Sequence, residues 1–168
     1  MINKVLRYTT IYLVLLLLQV LVLNNIQFSG YINPYVYILF ILLLPYETPG
    51  WMLLLVSFLG GLIIDFFTGT PGMHAAATVA AAFVRPYILI SISPREGYKA
   101  ETELSAAVYG FKWFVIYALG MVFVHHLILF YLEVFRLNDF FRTLARVILS
   151  TAFTAVIILM LEYFRKGR

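Results

Sequence analysis

Residues Gly60–Pro86 read GGLIIDFFTGTPGMHAAATVAAAFVRP. An apolar run closes at Phe67. The breaker cluster Thr68-Gly69-Thr70-Pro71-Gly72 follows, and an alanine-rich run then ends in Arg85-Pro86. This is the end of one transmembrane helix, a tight turn and most of the next helix. Asp65, His74, Thr78 and Arg85 supply most of the intramembrane polarity of the chain. A carboxylate and a guanidinium inside lipid-spanning segments are costly, so they mark function or tight packing. Ser57, Gly61 and Asp65 are spaced i, i+4, i+8 and share one helix face. His74, Ala77, Thr78, Ala81 and Arg85 form a stripe on the second helix, with Val79 and Phe83 opposite. A short turn makes the two helices antiparallel neighbours. The two stripes are therefore expected to face each other, because small residues let helix backbones approach in lipid.

The rest of the chain extends the membrane reading. Of 168 residues, 63% are hydrophobic and 12% charged, against about half and a quarter in a soluble domain. The length fits one polytopic membrane domain over residues 1–168. With no cysteine there is no disulfide, thiolate nucleophile or zinc–cysteine site. The net charge of +4 does not point to nucleic acid, since the basic residues sit at helix ends where topology accounts for them. Lys4 and Arg7 before an apolar run resemble a signal sequence. The run is too long, however, and ends in Asn24-Asn25 without a small-x-small cleavage site, so it is read as an uncleaved first span.

Six spanning helices are expected in a compact bundle. The first runs from about Leu6 to Leu23, and the second from about Tyr35 to Leu44 after Pro34 as a first helical residue. The second is short, about 15–18 Å at 1.5 Å per residue against a hydrocarbon core of about 30 Å. Thr48-Pro49 reads as an N-cap and first-turn proline for the third, which ends near Phe67. The fourth runs from about Met73 to Ser91, with Pro86 a candidate kink, and the fifth from about Leu104 to Tyr131. The sixth starts near Asn138 and ends near Phe164. With six spans, Lys4, Arg7, Arg95, Lys99, Arg165, Lys166 and Arg168 fall on one side, and Arg136, Arg142 and Arg146 on the other. Seven against three places both termini in the cytoplasm. Tyr8, Trp51 and Tyr163 then suit the inner interface, and Tyr31, Tyr131 and Phe141 the outer one.

Reactive chemistry is sparse. His125-His126 with Glu133 could be imagined as a metal site, but no HExxH-like spacing supports it. Ser57 and Ser105 lack a histidine–carboxylate pattern, and the glycines at 60, 61, 69 and 72 are not followed by a phosphate-loop GK[ST]. No catalytic, cofactor-binding or metal-binding residue is assigned. Asp65 is expected to act as a structural clasp, accepting the unpartnered N–H groups at the start of the fourth helix, with His74 a further donor. Arg85 is expected to point inward to a carboxylate or helix carbonyls, with Glu47 the first candidate.

These residues carry a resemblance. Gly61-Leu62-Ile63-Ile64-Asp65, Gly72-Met73-His74-Ala75-Ala76-Ala77 and Arg85-Pro86 resemble the rod shape-determining MreD family, in its Bacteroidetes-type form. The resemblance is strongest over residues 60–86; elsewhere it is one of hydropathy and length. It implies a non-enzymatic component of the bacterial inner membrane that helps to control cell shape and lateral peptidoglycan synthesis. The implied partner is MreC. MreB filaments and a wall-elongation glycosyltransferase and transpeptidase are the further complex members. It also implies a fold similar to the S components of energy-coupling-factor transporters. The motif positions in this chain are Gly61, Asp65, Gly72, His74, Ala77, Ala81, Arg85 and Pro86. Phe135, Leu137, Phe140 and Phe141, among Arg136 and Arg142, form either an aromatic belt in membrane lipid or a surface for MreC. The rival reading is a vitamin-binding S-component-like protein. It is weakened because the first helix has no small-xxx-small pair between Val14 and Leu23, the alanines lying on the fourth helix instead. A membrane enzyme of lipid metabolism would need paired carboxylates or a metal motif.

Overall fold

The computed structural model describes residues 2–26, 32–135 and 139–166. It is an all-α membrane protein. The helices are α1 (Ile2–Leu21), α2 (Leu39–Leu43), α3 (Gly50–Thr68), α4 (Met73–Ser91), α5 (Ala106–Tyr109), α6 (Phe111–Val134) and α7 (Phe140–Lys166). A single 3-10 turn, Leu23–Asn25, follows α1, and another, Val36–Ile38, leads into α2. Among the described residues, five segments are long and apolar enough to cross a membrane: Leu6–Asn25, Gly50–Thr68, Met73–Ser91, Phe111–Val134 and Phe140–Arg165.

The expected sixth span is corrected. Its segment holds only the 3-10 turn and the five residues of α2, so it is not a membrane-length helix. Every residue from Val36 to Leu44 is at most 8% exposed. The segment is core, surrounded by the long helices. Pro34 does not open a helix; its carbonyl accepts from Gln19 Nε2 at 2.9 Å. The third helix begins one residue later than its capping signal suggested. Pro49 occupies the cap position of α3, and the Thr48 hydroxyl donates instead to the Pro45 carbonyl at 2.8 Å. The expected fifth helix is divided at Gly110, whose φ of +89° separates α5 from α6. Tyr31, Arg136, Leu137 and Asn138 lie outside the described residues.

The α3–α4 hairpin follows from its turn. Gly69 takes the left-handed conformation (φ +68°) and its N–H closes on the Asp65 carbonyl at 2.9 Å, with Thr70 N–H on the same oxygen at 3.2 Å. Such a cap satisfies carbonyls that the helix end leaves over, and glycine adopts it without Cβ strain. Gly72, at φ +81°, starts α4. α4 packs on α3 and α6, and α6 packs on α7. The small stripe of α4 makes this central position possible: Ala77 and Ala81 are fully buried, while Phe83 on the opposite face is exposed.

The bundle has a turn end, at residues 69–72, and a loop end, at residues 92–105. At the loop end Arg7 and Arg165 both bond Glu103, at 2.5 and 2.6 Å. The start of α1 and the end of α7 therefore lie together. Trp51 and Tyr163 are exposed. The loop is pinned by Tyr98 Oη donating to the Leu89 carbonyl at 2.7 Å and Trp113 Nε1 donating to Ile92 at 3.0 Å. Burial pushes the Tyr98 hydroxyl up to about 12.

Candidate functional site

Asp65 lies one turn before the end of α3 and is 3% exposed. Its Oδ1 accepts the His74 backbone N–H and the Thr70 hydroxyl, each at 2.9 Å, and its Oδ2 accepts the Ala75 N–H at 2.9 Å. These N–H groups open α4, where no helical carbonyl precedes them and the dipole favours negative charge. His74 Nδ1 lies 3.2 Å from Oδ1 and 2.8 Å from Thr70 Oγ1. A carboxylate oxygen accepts, so the Nδ1 that faces it carries a proton, and the other ring nitrogen is Nε2. That Nε2 is buried and has no partner among the described residues.

Gly61 sits one turn before Asp65. A Cβ there would lie 2.5 Å from Ala75 Cα and 2.6 Å from the His74 carbonyl oxygen, so only hydrogen fits. Close approach at Gly61 brings the start of α4 within reach of Asp65. Ser57, on the same face, is fully buried and its hydroxyl returns to the Leu53 carbonyl at 2.6 Å.

Arg85, 2% exposed, points inward. Its Nη2 donates to the carbonyl of Leu44 and, at 3.2 Å, to that of Pro45. Its Nε donates to Tyr117 Oη at 2.8 Å, and Tyr117 donates in turn to the Leu42 carbonyl at 3.3 Å. Glu47, the carboxylate expected to pair with it, instead accepts the Glu101 N–H at 3.2 Å. Arg85 thus serves the carbonyls at the end of α2. Pro86, beside it, is exposed and lies inside α4, which continues to Ser91.

The opposite end of the buried segment is served in the same way. Val36 N–H donates to Gln19 Oε1 at 2.9 Å, Tyr35 N–H to Thr154 Oγ1 at 3.1 Å and Asn33 N–H to Ser150 Oγ at 3.2 Å. Non-helical backbone at membrane depth persists only where protein groups satisfy it. Gln19, Ser150 and Thr154 do so here.

Sequence reasoning missed what converges between these two ends. The three histidines of the chain surround Tyr35 and Tyr37. Tyr37 Oη contacts His125 Nε2 at 2.7 Å and Thr78 Oγ1 at 3.0 Å. His126 Nδ1 donates to the Val122 carbonyl at 2.8 Å, and its Nε2 lies 3.1 Å from Thr154 Oγ1. Glu133, grouped with them in the sequence, instead pairs with Arg146 at 2.7 Å. No metal-holding cluster exists among the described residues. A usable signal was present: tyrosines at 35 and 37 flanking a short apolar run are poor lipid-facing residues at the bilayer centre.

Above Tyr35, at the turn end, opens a cavity of about 350 Å³. Asn33, Tyr35, Thr70, His74, Glu133 and Arg146 line it. The Arg146 guanidinium lies 4.0 Å over the Phe130 ring, and its Nη2 donates to the Asn33 side-chain oxygen at 2.7 Å once that amide is oriented to suit its neighbours. Its Nε is buried without a partner among the described residues.

Of the aromatic residues expected as a partner surface, Phe135 and Phe141 are 84% and 83% exposed and Phe140 is 44% exposed. No family model matches this chain, and neither a curated protein nor a solved structure does.

Proposed function

We propose that this chain is a non-enzymatic component of the bacterial inner membrane of the MreD kind, with the start of α1 and the end of α7, which meet at Glu103, both on the cytoplasmic side. In this reading it binds MreC and helps control cell shape and lateral peptidoglycan synthesis with MreB filaments and the elongation glycosyltransferase and transpeptidase. One observation carries the reading. The residues of the resemblance spend their chemistry on the protein itself. Asp65 closes on the start of α4, Gly61 admits the α4 backbone and Arg85 closes on α2. A motif used in this way holds elements in fixed relation, which suits a part that presents surfaces to partners. Phe141 and Phe135, exposed beside the turn end, are the surface assigned to MreC.

The test is recovery of the tagged chain from native membranes, with a photocrosslinker at Phe141 and, separately, at Phe83 on the far face of α4. The reading expects MreC in the Phe141 adduct and not in the Phe83 adduct. Crosslinks to lipid alone at Phe141, with no MreC co-purifying, would reject it. The alternative, a small-molecule-binding membrane protein of a transporter similar to an S component, is favoured only by the cavity at the turn end. It would be preferred if transporter subunits co-purified in place of MreC.

A further inference from the structure

We propose that the groove between α1 and α7 at the loop end holds an anionic phospholipid, with one acyl chain along the groove and the phosphate at Arg7 and Arg165. This goes beyond the partner reading and does not rest on it, because the test uses the purified chain alone.

The groove has a volume of about 470 Å³. Ile11 and Val14 of α1 form one wall, Leu161 and Phe164 of α7 the other, and Leu39 of the buried segment the floor. Val14 and Phe164 are 58% and 69% exposed, so the walls open to the bilayer and do not close on each other. Arg165 stands at the mouth of the groove. Among the described residues, the only other polar lining is Thr10, whose hydroxyl donates to the Leu6 carbonyl at 2.9 Å. Below its mouth the groove therefore offers apolar surface, which suits a hydrocarbon chain. The sequence follows the same division. Arg7, Ile11 and Val14 are spaced i, i+4, i+7 and share one face of α1, and Leu161 and Arg165 are one turn apart on α7. From Arg7 to Val14 the rise is about 10 Å at 1.5 Å per residue. Charge lies at one end and apolar surface below it, as in a phospholipid.

The mouth is cationic. Lys4 and Arg7 of α1 and Arg165 and Lys166 of α7 stand at this end, against Glu103 and Glu162. Both carboxylates are already engaged. Each Glu103 oxygen accepts from one arginine, and Glu162 accepts the Ala106 N–H and two N–H groups of Arg165. These bonds use three of the five Arg165 donors and one of the five on Arg7, whose side chain is 59% exposed. A phosphate can take several N–H groups from two guanidinium forks at once. The ammonium of a zwitterionic headgroup would add a cation where four basic residues already face two acidic ones, whereas phosphatidylglycerol adds none. Basic clusters between membrane helices recruit anionic headgroups in this way.

The full chain, purified and stripped of lipid, is offered equimolar phosphatidylglycerol, phosphatidylethanolamine and phosphatidylcholine, and the retained lipid is counted by native mass spectrometry. The proposal expects phosphatidylglycerol to be retained at least tenfold over either zwitterionic lipid. Phosphatidylglycerol with a photoactivatable acyl chain should label residues 11–15 and 161–164. Arg7→Gln should lower the preference severalfold. Val14→Trp, which fills the groove and keeps every charge, should reduce it below twofold, while Leu17→Trp, outside the groove, should leave it intact. Glycerophosphoglycerol, the headgroup without chains, should give no thermal shift. Equal retention of the three lipids would overturn the proposal. So would acyl-chain labelling confined to other helix faces, a headgroup shift as large as that with the whole lipid, or a preference that survives Val14→Trp. A lipid-free dimer would assign the groove to a second copy of the chain and overturn it as well. The wild-type ranking and the labelling map decide the matter even if a variant fails to accumulate.

Discussion

Arg85 donates to the carbonyl of Leu44, 41 residues away in the chain. This bond, with those to Pro45 and through Tyr117 to Leu42, ends the buried α2 segment. The last carbonyls of any helix lack intrahelical partners, and inside a bilayer no water supplies them. A guanidinium carries five donors in a rigid fork, enough to close several carbonyls at once. The buried guanidinium of α4 is therefore explained by the short buried helix whose end it closes.

Tyr117→Phe should remove the Arg85 Nε acceptor and the donor to Leu42 together. Hydrogen bonds to charged groups contribute about 1.5–3 kcal/mol each, so a loss of this size is expected. Arg85→Met should cost more, because the carbonyls of Leu44 and Pro45 and the Tyr117 hydroxyl then all lose their donor. Unfolding midpoints in detergent for Tyr117→Phe, Arg85→Met and the double variant check this. Additive losses would show that the two side chains do not act as one unit.

Gly60 and Gly61 are neighbours that should respond oppositely to alanine. At Gly60 an added Cβ would meet the Tyr12 ring at 3.5 Å, an ordinary contact. At Gly61 it would meet α4 backbone at 2.5 Å. Overpacking costs about 1–3 kcal/mol and sometimes more. Gly61→Ala should lower the folded yield sharply, and Gly60→Ala should leave it nearly unchanged. Fluorescence size-exclusion profiles of the two variants read the difference directly.

Asp65→Asn keeps one carbonyl oxygen where the carboxylate used two, one for the His74 N–H and one for the Ala75 N–H. One N–H is left facing an amide NH2, at about 1–3 kcal/mol for an unsatisfied buried group. Asp65→Leu leaves both unmet and should be the worse of the two. Thermal midpoints should rank wild type above Asn and Asn above Leu. If Asp65→Asn is assembled normally and yet fails in cell-shape complementation, charge at Asp65 has a role beyond the clasp.

The natural absence of cysteine makes orientation testable without background. Ser93→Cys, in the loop end, should react with a membrane-impermeant maleimide only in inverted vesicles. Phe141→Cys, near the turn end, should react in right-side-out cells. The opposite pattern would invert the assigned topology while leaving the fold as described.

The sequence by itself determined the membrane class and the hairpin at Gly60–Pro86. Both depend on local information. Apolar content selects lipid as solvent, breaker residues set the turn, and the i, i+4 spacing places Gly61 and Asp65 on one face. The tertiary structure alone decided the fate of the second helix. Val36–Leu44 and the exposed face of α1 at Leu13, Val14, Leu17 and Leu21 are equally apolar, yet one is core and the other is exposed. Lipid and protein interior are both apolar, so hydropathy does not separate them. The same limit hid the partners of Gln19, Arg85, Ser150 and Thr154. Their bonds reach the backbone of the 33–45 segment from 15 to 119 residues away. Only packing brings those carbonyls and N–H groups to the side chains that need them.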